Sequence, residues 1–183
     1  MKNLFVFPAL FIICSNSAIA QKHYTKNGEI SFFSKTSMEN IKAANSQVMS
    51  VLNISTGELQ FSLLVKGFHF EKALMEEHFN ENYLESEKHP RSTFKGSIAE
   101  MGAVNFAKDG TYPVAVSGDL TIHGVTNKVT TKGSIIIKGG KITGTAVFTV
   151  ALADYNISVP KLVEKNIAKT IDITVNCLYD QKM

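Results

Sequence analysis

The sequence predicts an all-β protein, an antiparallel β-barrel of about eight strands with a short helical insertion capping one end. Three observations carry the prediction. From Tyr112 to Ile137 two long runs alternate apolar and polar residues, the pattern of half-buried strands. Further alternating runs, bounded by turn residues, lie before and after them. Between Glu71 and Leu84 the apolar spacing changes to that of an amphipathic helix.

Residues 1–20 are set apart from the fold. Lys2, the apolar stretch Leu4 to Cys14 and Ala18-Ile19-Ala20 make up the three regions of a secretory signal. The expected mature domain is residues 21–183, cleaved after Ala20 and periplasmic or secreted. The apolar stretch falls short of the roughly 20 residues a spanning helix needs, and no second one follows, so no transmembrane anchor is expected. Ile12 and Ile13 are too bulky for lipoprotein processing at Cys14. Removing Lys2 lowers the formal charge from +3 to +2, and without a basic run nucleic acid is not an expected partner. Only Cys177 remains in the mature chain, which precludes an intramolecular disulfide. A homodimer is left open.

Taken in order, Gly28 to Ser34 forms a short strand, and Gln47 to Asn53 a second of unclear parity. Ser55-Thr56-Gly57 turns the chain into Glu58 to Lys66, where Leu59, Phe61, Leu63 and Val65 share one face. The helix from Glu71 to Leu84 either caps a barrel mouth, presenting Leu74, Met75 and Phe79 inward, or packs as an ordinary amphipathic core helix. Lys88-His89-Pro90 reads as the exit of a second short helix. Phe94, Gly96 and Ile98 resume the strand pattern. The central hairpin follows, with Tyr112, Val114, Val116, Leu120 and Ile122 on one face of its first arm and Val129, Ile135 and Ile137 on one face of its second. Gly124 supplies a permissive backbone at its turn. Ile142 to Leu152 and the run Ile171, Ile173, Val175, Cys177 complete the set. Such a series fits a barrel or a sandwich, and arms of about 10 residues favour the tilted strands of a barrel.

At this point the residues resemble a known family. Gly118-Asp119-Leu120-Thr121-Ile122-His123-Gly124-Val125-Thr126 is similar to the signature hairpin of the YceI-like proteins. Gly67-Phe68-His69-Phe70, Met75-Glu76-Glu77-His78-Phe79, His89-Pro90-Arg91-Ser92-Thr93-Phe94 and Leu152-Ala153-Asp154-Tyr155 match further blocks in order. The resemblance implies a lipocalin-like barrel that is exported and encloses a long apolar ligand: a polyisoprenoid, an isoprenoid quinone or a fatty acyl lipid. Asn127 departs from the family by replacing a common basic residue, and His89 by replacing a usual aromatic one.

The residues themselves bear on a cavity. Gly96, Gly118, Gly133 and Gly144 each fall on the apolar parity of a strand, with the small Ala146 nearby. If those faces point inward, one layer of the barrel is nearly free of side chains, and an eight-stranded barrel then has room for a ligand. Alternatively, these glycines are points where strands bend. The expected lining comprises Phe61, Leu63, Phe68 and Phe70, then Leu74, Met75 and Phe79 of the helix. It continues through Phe94, Gly96, Val116, Gly118 and Leu120 to Gly133, Ile135, Gly144, Ala146 and Phe148.

Catalysis is not expected, and neither is a cofactor. No G-x-S-x-G element occurs, and Cys177 lies on the apolar parity of its strand. His69, His78, His89 and His123 lack the spacing that sets two metal ligands on one helical face, so no metal site is expected. The functional expectation is a non-catalytic binding protein for an apolar chain. The competing expectation is a filled barrel that works through its surface.

Overall fold

The computed structural model describes residues 21–183, so the expected signal segment lies outside the described residues. Its strands are β1 (Lys22–Lys35), β2 (Asn40–Asn53), β3 (Glu58–Leu64), β4 (His69–Phe70) and β5 (Arg91–Ile98). They continue as β6 (Gly110–Ile122), β7 (Val125–Lys138), β8 (Lys141–Ala151), β9 (Thr170–Tyr179) and β10 (Gln181–Lys182). Antiparallel neighbours run β1-β9-β8-β7-β6-β5-β3-β2, and β1 also pairs with β2. That last ladder closes an eight-stranded barrel, leaving only the two-residue strands β4 and β10 appended to β2 and β1. Helix α1 (Ala73–His78) and a wide π turn over Phe79–Tyr83 form the insertion.

The β6–β7 hairpin is paired without a break from Gly110 opposite Ile137 to Ile122 opposite Val125. His123 and Gly124 make the two-residue turn, with φ of +50° and +74°. Positive φ at both positions matches the twist of the arms, as in a type I′ turn.

β1 and β2 are longer than their sequence patterns suggested. Register shifts on either side of Gly28 bulge β1 and break its parity. In β2 the positions that should be apolar are Asn45 and Ser50, both fully buried. Neither is left unsatisfied. Asn45 donates to the Leu64 carbonyl at 2.9 Å and accepts from the Gln47 N–H at 2.9 Å. Ser50 donates to the Gln60 carbonyl at 3.0 Å, and its hydroxyl lies 2.8 Å from that of Tyr179. Removing one partner of such a buried pair costs about 1–3 kcal/mol, so these contacts hold β2 in register.

The expected helix from Glu71 to Leu84 is shorter, ending in α-form at His78. Leu84 N–H then bonds the Phe79 carbonyl at 2.9 Å, a five-residue step that widens the turn. The expected second helix is absent from this stretch. Glu85 has φ +43°, which stops helical propagation, and its carbonyl accepts from the N–H groups of Lys88 and His89 instead.

The core divides along the barrel axis. At one end Leu52, Leu59, Ile98, Ile137, Cys177 and Tyr179 pack with Met101 and Val104, which plug that end from the loop before β6. Leu52 is fully buried there, and truncating such a leucine to alanine costs about 2–5 kcal/mol. The other end, beneath the insertion, is not filled.

Candidate functional site: an apolar cavity under a helical lid

The unfilled end holds a cavity of about 290 Å³. Its walls are Ile30 and Phe32 of β1, Leu63 of β3, Leu120 and Ile122 of β6, Phe148 and Val150 of β8, and Ile171 and Ile173 of β9. Met75, Phe79, Tyr83 and Leu84 close it from the insertion, and Leu152, Tyr155, Ile157 and Val163 from the β8–β9 loop. Among the described residues no lysine or arginine lines it. A second cavity of about 80 Å³ lies deeper, between Phe61, Phe94, Val116, Ile135, Gly144, Ala146 and Tyr179. Leu120 and Phe148 border both cavities and form the partition between them.

The lid is attached by aromatic contacts, not by a buried helix face. No residue of α1 is buried. Phe79 instead stacks on Phe32 with centroids 5.4 Å apart, and meets Phe68 at 5.6 Å and Phe70 at 5.1 Å. Such pairs contribute about 0.5–1.5 kcal/mol each beyond area burial.

A polar latch spans the mouth. Lys72, just before α1, places Nζ 3.1 Å from Glu39 Oε1 in the β1–β2 turn. Asn166 of the β8–β9 loop donates to Glu39 Oε2 at 3.2 Å. The Lys72 hydrogen bond, then that from Asn166, holds the Glu39 carboxyl below its ordinary range. Ser34 accepts from the Ala168 N–H at 2.9 Å and fastens the same loop to the barrel. The lid, the β1–β2 turn and the β8–β9 loop therefore meet at one carboxylate.

Of the residues expected from sequence to line a cavity, Leu63, Phe68, Phe70, Met75, Phe79, Leu120 and Phe148 border the larger space. Phe61, Phe94, Val116, Ile135, Gly144 and Ala146 border the smaller one. Leu74 does neither: it lies on the outer face of α1, 61% exposed. Gly96 and Gly118 also require correction. They pair directly across β5 and β6, and a Cβ on Gly118 would sit 2.5 Å from Gly96 Cα and 2.7 Å from Phe94 Cζ. Two backbones approach closely there and the Phe94 ring covers them, so the missing side chains open no ligand layer. A Cβ on Gly133 would lie 2.7 Å from the Thr145 carbonyl, again a close strand approach. Gly144 alone of the four faces a cavity, with Tyr179 Cε2 3.3 Å from its Cβ position.

Sequence reasoning missed Phe32, Ile122, Tyr155, Ile171 and Ile173 as wall residues. The alternation through Ile171, Ile173 and Val175 was a usable signal for β9. The β8–β9 loop gave none. The structure also gathers Glu85, His89 and His123, which no spacing rule connects.

The fold and site define a closed, lidded β-barrel of lipocalin-like build around an apolar cavity. The chain belongs to the YceI-like family: the model of the YceI-like domain matches residues 15–178. Solved structures agree on the fold. A polyisoprenoid binding domain from Saccharophagus degradans, implicated in plant cell wall breakdown, superposes with a TM-score of 0.75 at 14% identity, over 88% of this chain and 98% of that one. Burkholderia cenocepacia BcnA does so with a TM-score of 0.69 at 18% identity, over 82% and 95% of the two chains. The Campylobacter jejuni YCEI protein gives a TM-score of 0.60 at 15% identity, over 79% and 87%. No curated protein matches the chain. Among the described residues no helix is long and apolar enough to cross a membrane.

Proposed function

We propose that this protein is an exported, non-catalytic binding protein for a long apolar chain, a polyisoprenoid, isoprenoid quinone or fatty acyl lipid, held beneath the lid. The observation that carries the reading is the 290 Å³ apolar cavity closed by the Phe79 aromatic contacts. The polyisoprenoid-binding description of the Saccharophagus degradans domain supports the ligand class. A methylene occupies about as much space as a water molecule, roughly 30 Å³. The larger cavity therefore takes about ten carbons, or two isoprene units. At about 0.8 kcal/mol per buried CH₂ these gross roughly 8 kcal/mol before ordering costs. Longer chains extend through the mouth or displace the Leu120–Phe148 partition. Cys177 supports a binding role over a catalytic one: it is fully buried away from the larger cavity, and burial pushes its thiol up to about 12.

Protein purified from its native host without detergent should release an apolar chain into organic solvent, read by mass spectrometry at about one per barrel. An extract free of such chains, from protein that also fails to take up geranylgeraniol, contradicts the proposal and leaves a filled barrel acting through its surface. Export has its own readout. The intact mass should correspond to a chain beginning at Gln21, and retention of Met1 or addition of a diacylglyceryl group refutes that part.

A further inference from the structure

Outside the cavity, the turn that follows the lid lies against the tip of the β6–β7 hairpin. The Glu85 carbonyl accepts from the N–H groups of Lys88 and His89 at 2.8 and 2.9 Å, and this reversal sets the Glu85 and His89 side chains side by side. Facing them is His123, whose side chain is only 12% exposed. Its Nδ1 is 3.1 Å from the Tyr155 carbonyl oxygen and its Nε2 is 3.1 Å from Glu85 Oε2. A carbonyl can only accept, so Nδ1 carries a proton. In the neutral imidazole Nε2 then carries the lone pair and points at a carboxylate. Either a proton on Nε2 or a metal ion held between the two groups satisfies this arrangement. The His89 ring stands edge-on to His123 with centroids 4.8 Å apart. It fits there because residue 124 is glycine: a Cβ would lie 2.7 Å from His89 Nδ1 and Cε1.

We propose that Glu85, His89 and His123 form a site for a divalent transition-metal ion of the zinc class, with one position left open. The ligand atoms of the three residues all lie within 4.8 Å of one another. The 3.1 Å from Nε2 to Oε2 is close to the ~3.3 Å edge of a tetrahedron with bonds of about 2.0–2.1 Å. Two imidazoles and a carboxylate make a donor set that zinc favours over calcium or magnesium. The Tyr155 carbonyl plays the outer-shell part, fixing the tautomer and aim of His123. Lys88 occupies Glu85 Oε1, which leaves Oε2 for the ion. Because Glu85 directly follows the cavity-lining Leu84, a bound ion ties the end of the lid to the hairpin tip.

The test uses untagged protein spanning residues 21–183, stripped with EDTA and titrated with zinc chloride by calorimetry, with cobalt absorbance in parallel. One equivalent should bind to the wild type and to His69→Ala, and zinc should raise the thermal midpoint of both. Affinity should fall at least about tenfold in His89→Gln and in Glu85→Gln, with the thermal shift lost. Tetrahedral cobalt bands should vanish in the same two variants. Absence of a saturable equivalent, or unchanged affinity in both Gln variants, overturns the site and leaves an ion pair between Glu85 and His123.

Discussion

Phe79→Asp tests the lid most sharply. In the wild type the Phe79 ring is held by Phe32, Phe68 and Phe70 at centroid distances of 5.4, 5.6 and 5.1 Å. Three such pairs at about 0.5–1.5 kcal/mol each sum to roughly 1.5–4.5 kcal/mol. A factor of ten accompanies each 1.4 kcal/mol, so the lid should open roughly tenfold to thousandfold more often. The loss should stay local, because α1 has no buried residue and the ladders that close the barrel do not pass through it. The assay is stopped-flow dissociation of a fluorescent polyene chain such as parinaric acid, with circular dichroism to verify the barrel. Glu77→Ala, on the exposed side of α1, is the control and should dissociate at the wild-type rate. Equal dissociation rates for Phe79→Asp and wild type, in folded protein, would refute the reasoning.

Other outcomes follow from the same contacts. Glu39 is held below the ordinary carboxylate value of 4.5, so the latch is intact above that pH and is lost as pH falls through the lower folded value. Chain release should accelerate in that acid window, and Glu39→Gln should release quickly at neutral pH too; a flat profile counts against the latch. Gly118→Leu forces a side chain against Gly96 Cα and should lower stability by at least the roughly 1–3 kcal/mol of ordinary overpacking. Gly144→Leu instead enters the 80 Å³ deeper space, and should exclude longer chains while leaving a folded barrel in thermal melts. The Cys177 thiol is raised from an ordinary 9.0 to about 12, so its stability contribution is whole below pH 9 and lost as pH rises toward 12. Thermal midpoints should fall by less across that window in Cys177→Ala than in wild type. In native protein a thiol reagent at neutral pH should leave Cys177 unmodified.

The barrel was legible where one strand face meets the core and the other meets water. Tyr112 to Ile137 is such a stretch, and its pairing follows the alternation residue for residue. β1 and β2 were cut short because a bulge at Gly28 shifts the parity and because Asn45 and Ser50 occupy buried positions. Their polarity is offset by hydrogen bonds to residues far along the chain, which local pattern does not reveal. The glycine parity was visible, but its meaning depended on register. Gly96 lies opposite Gly118 under the Phe94 ring, whereas Gly144 borders the deeper cavity beside Tyr179. Leu74 shared helical spacing with Met75 and Phe79, yet a lid one turn thick exposes its outer face. The cluster of Glu85, His89 and His123 depends on a turn meeting a hairpin tip, a contact that sequence spacing does not encode.

The central claim is that an apolar chain lies in the larger cavity, under the lid and above the Leu120–Phe148 partition. Isotope-filtered nuclear Overhauser spectra of labelled protein with unlabelled geranylgeraniol test it directly. The ligand methyls should show contacts to Met75, Ile122, Ile171 and Ile173, all of which line that cavity. Contacts confined to outward-facing residues such as Leu74, Val147 and Leu162, or none at all, contradict the account.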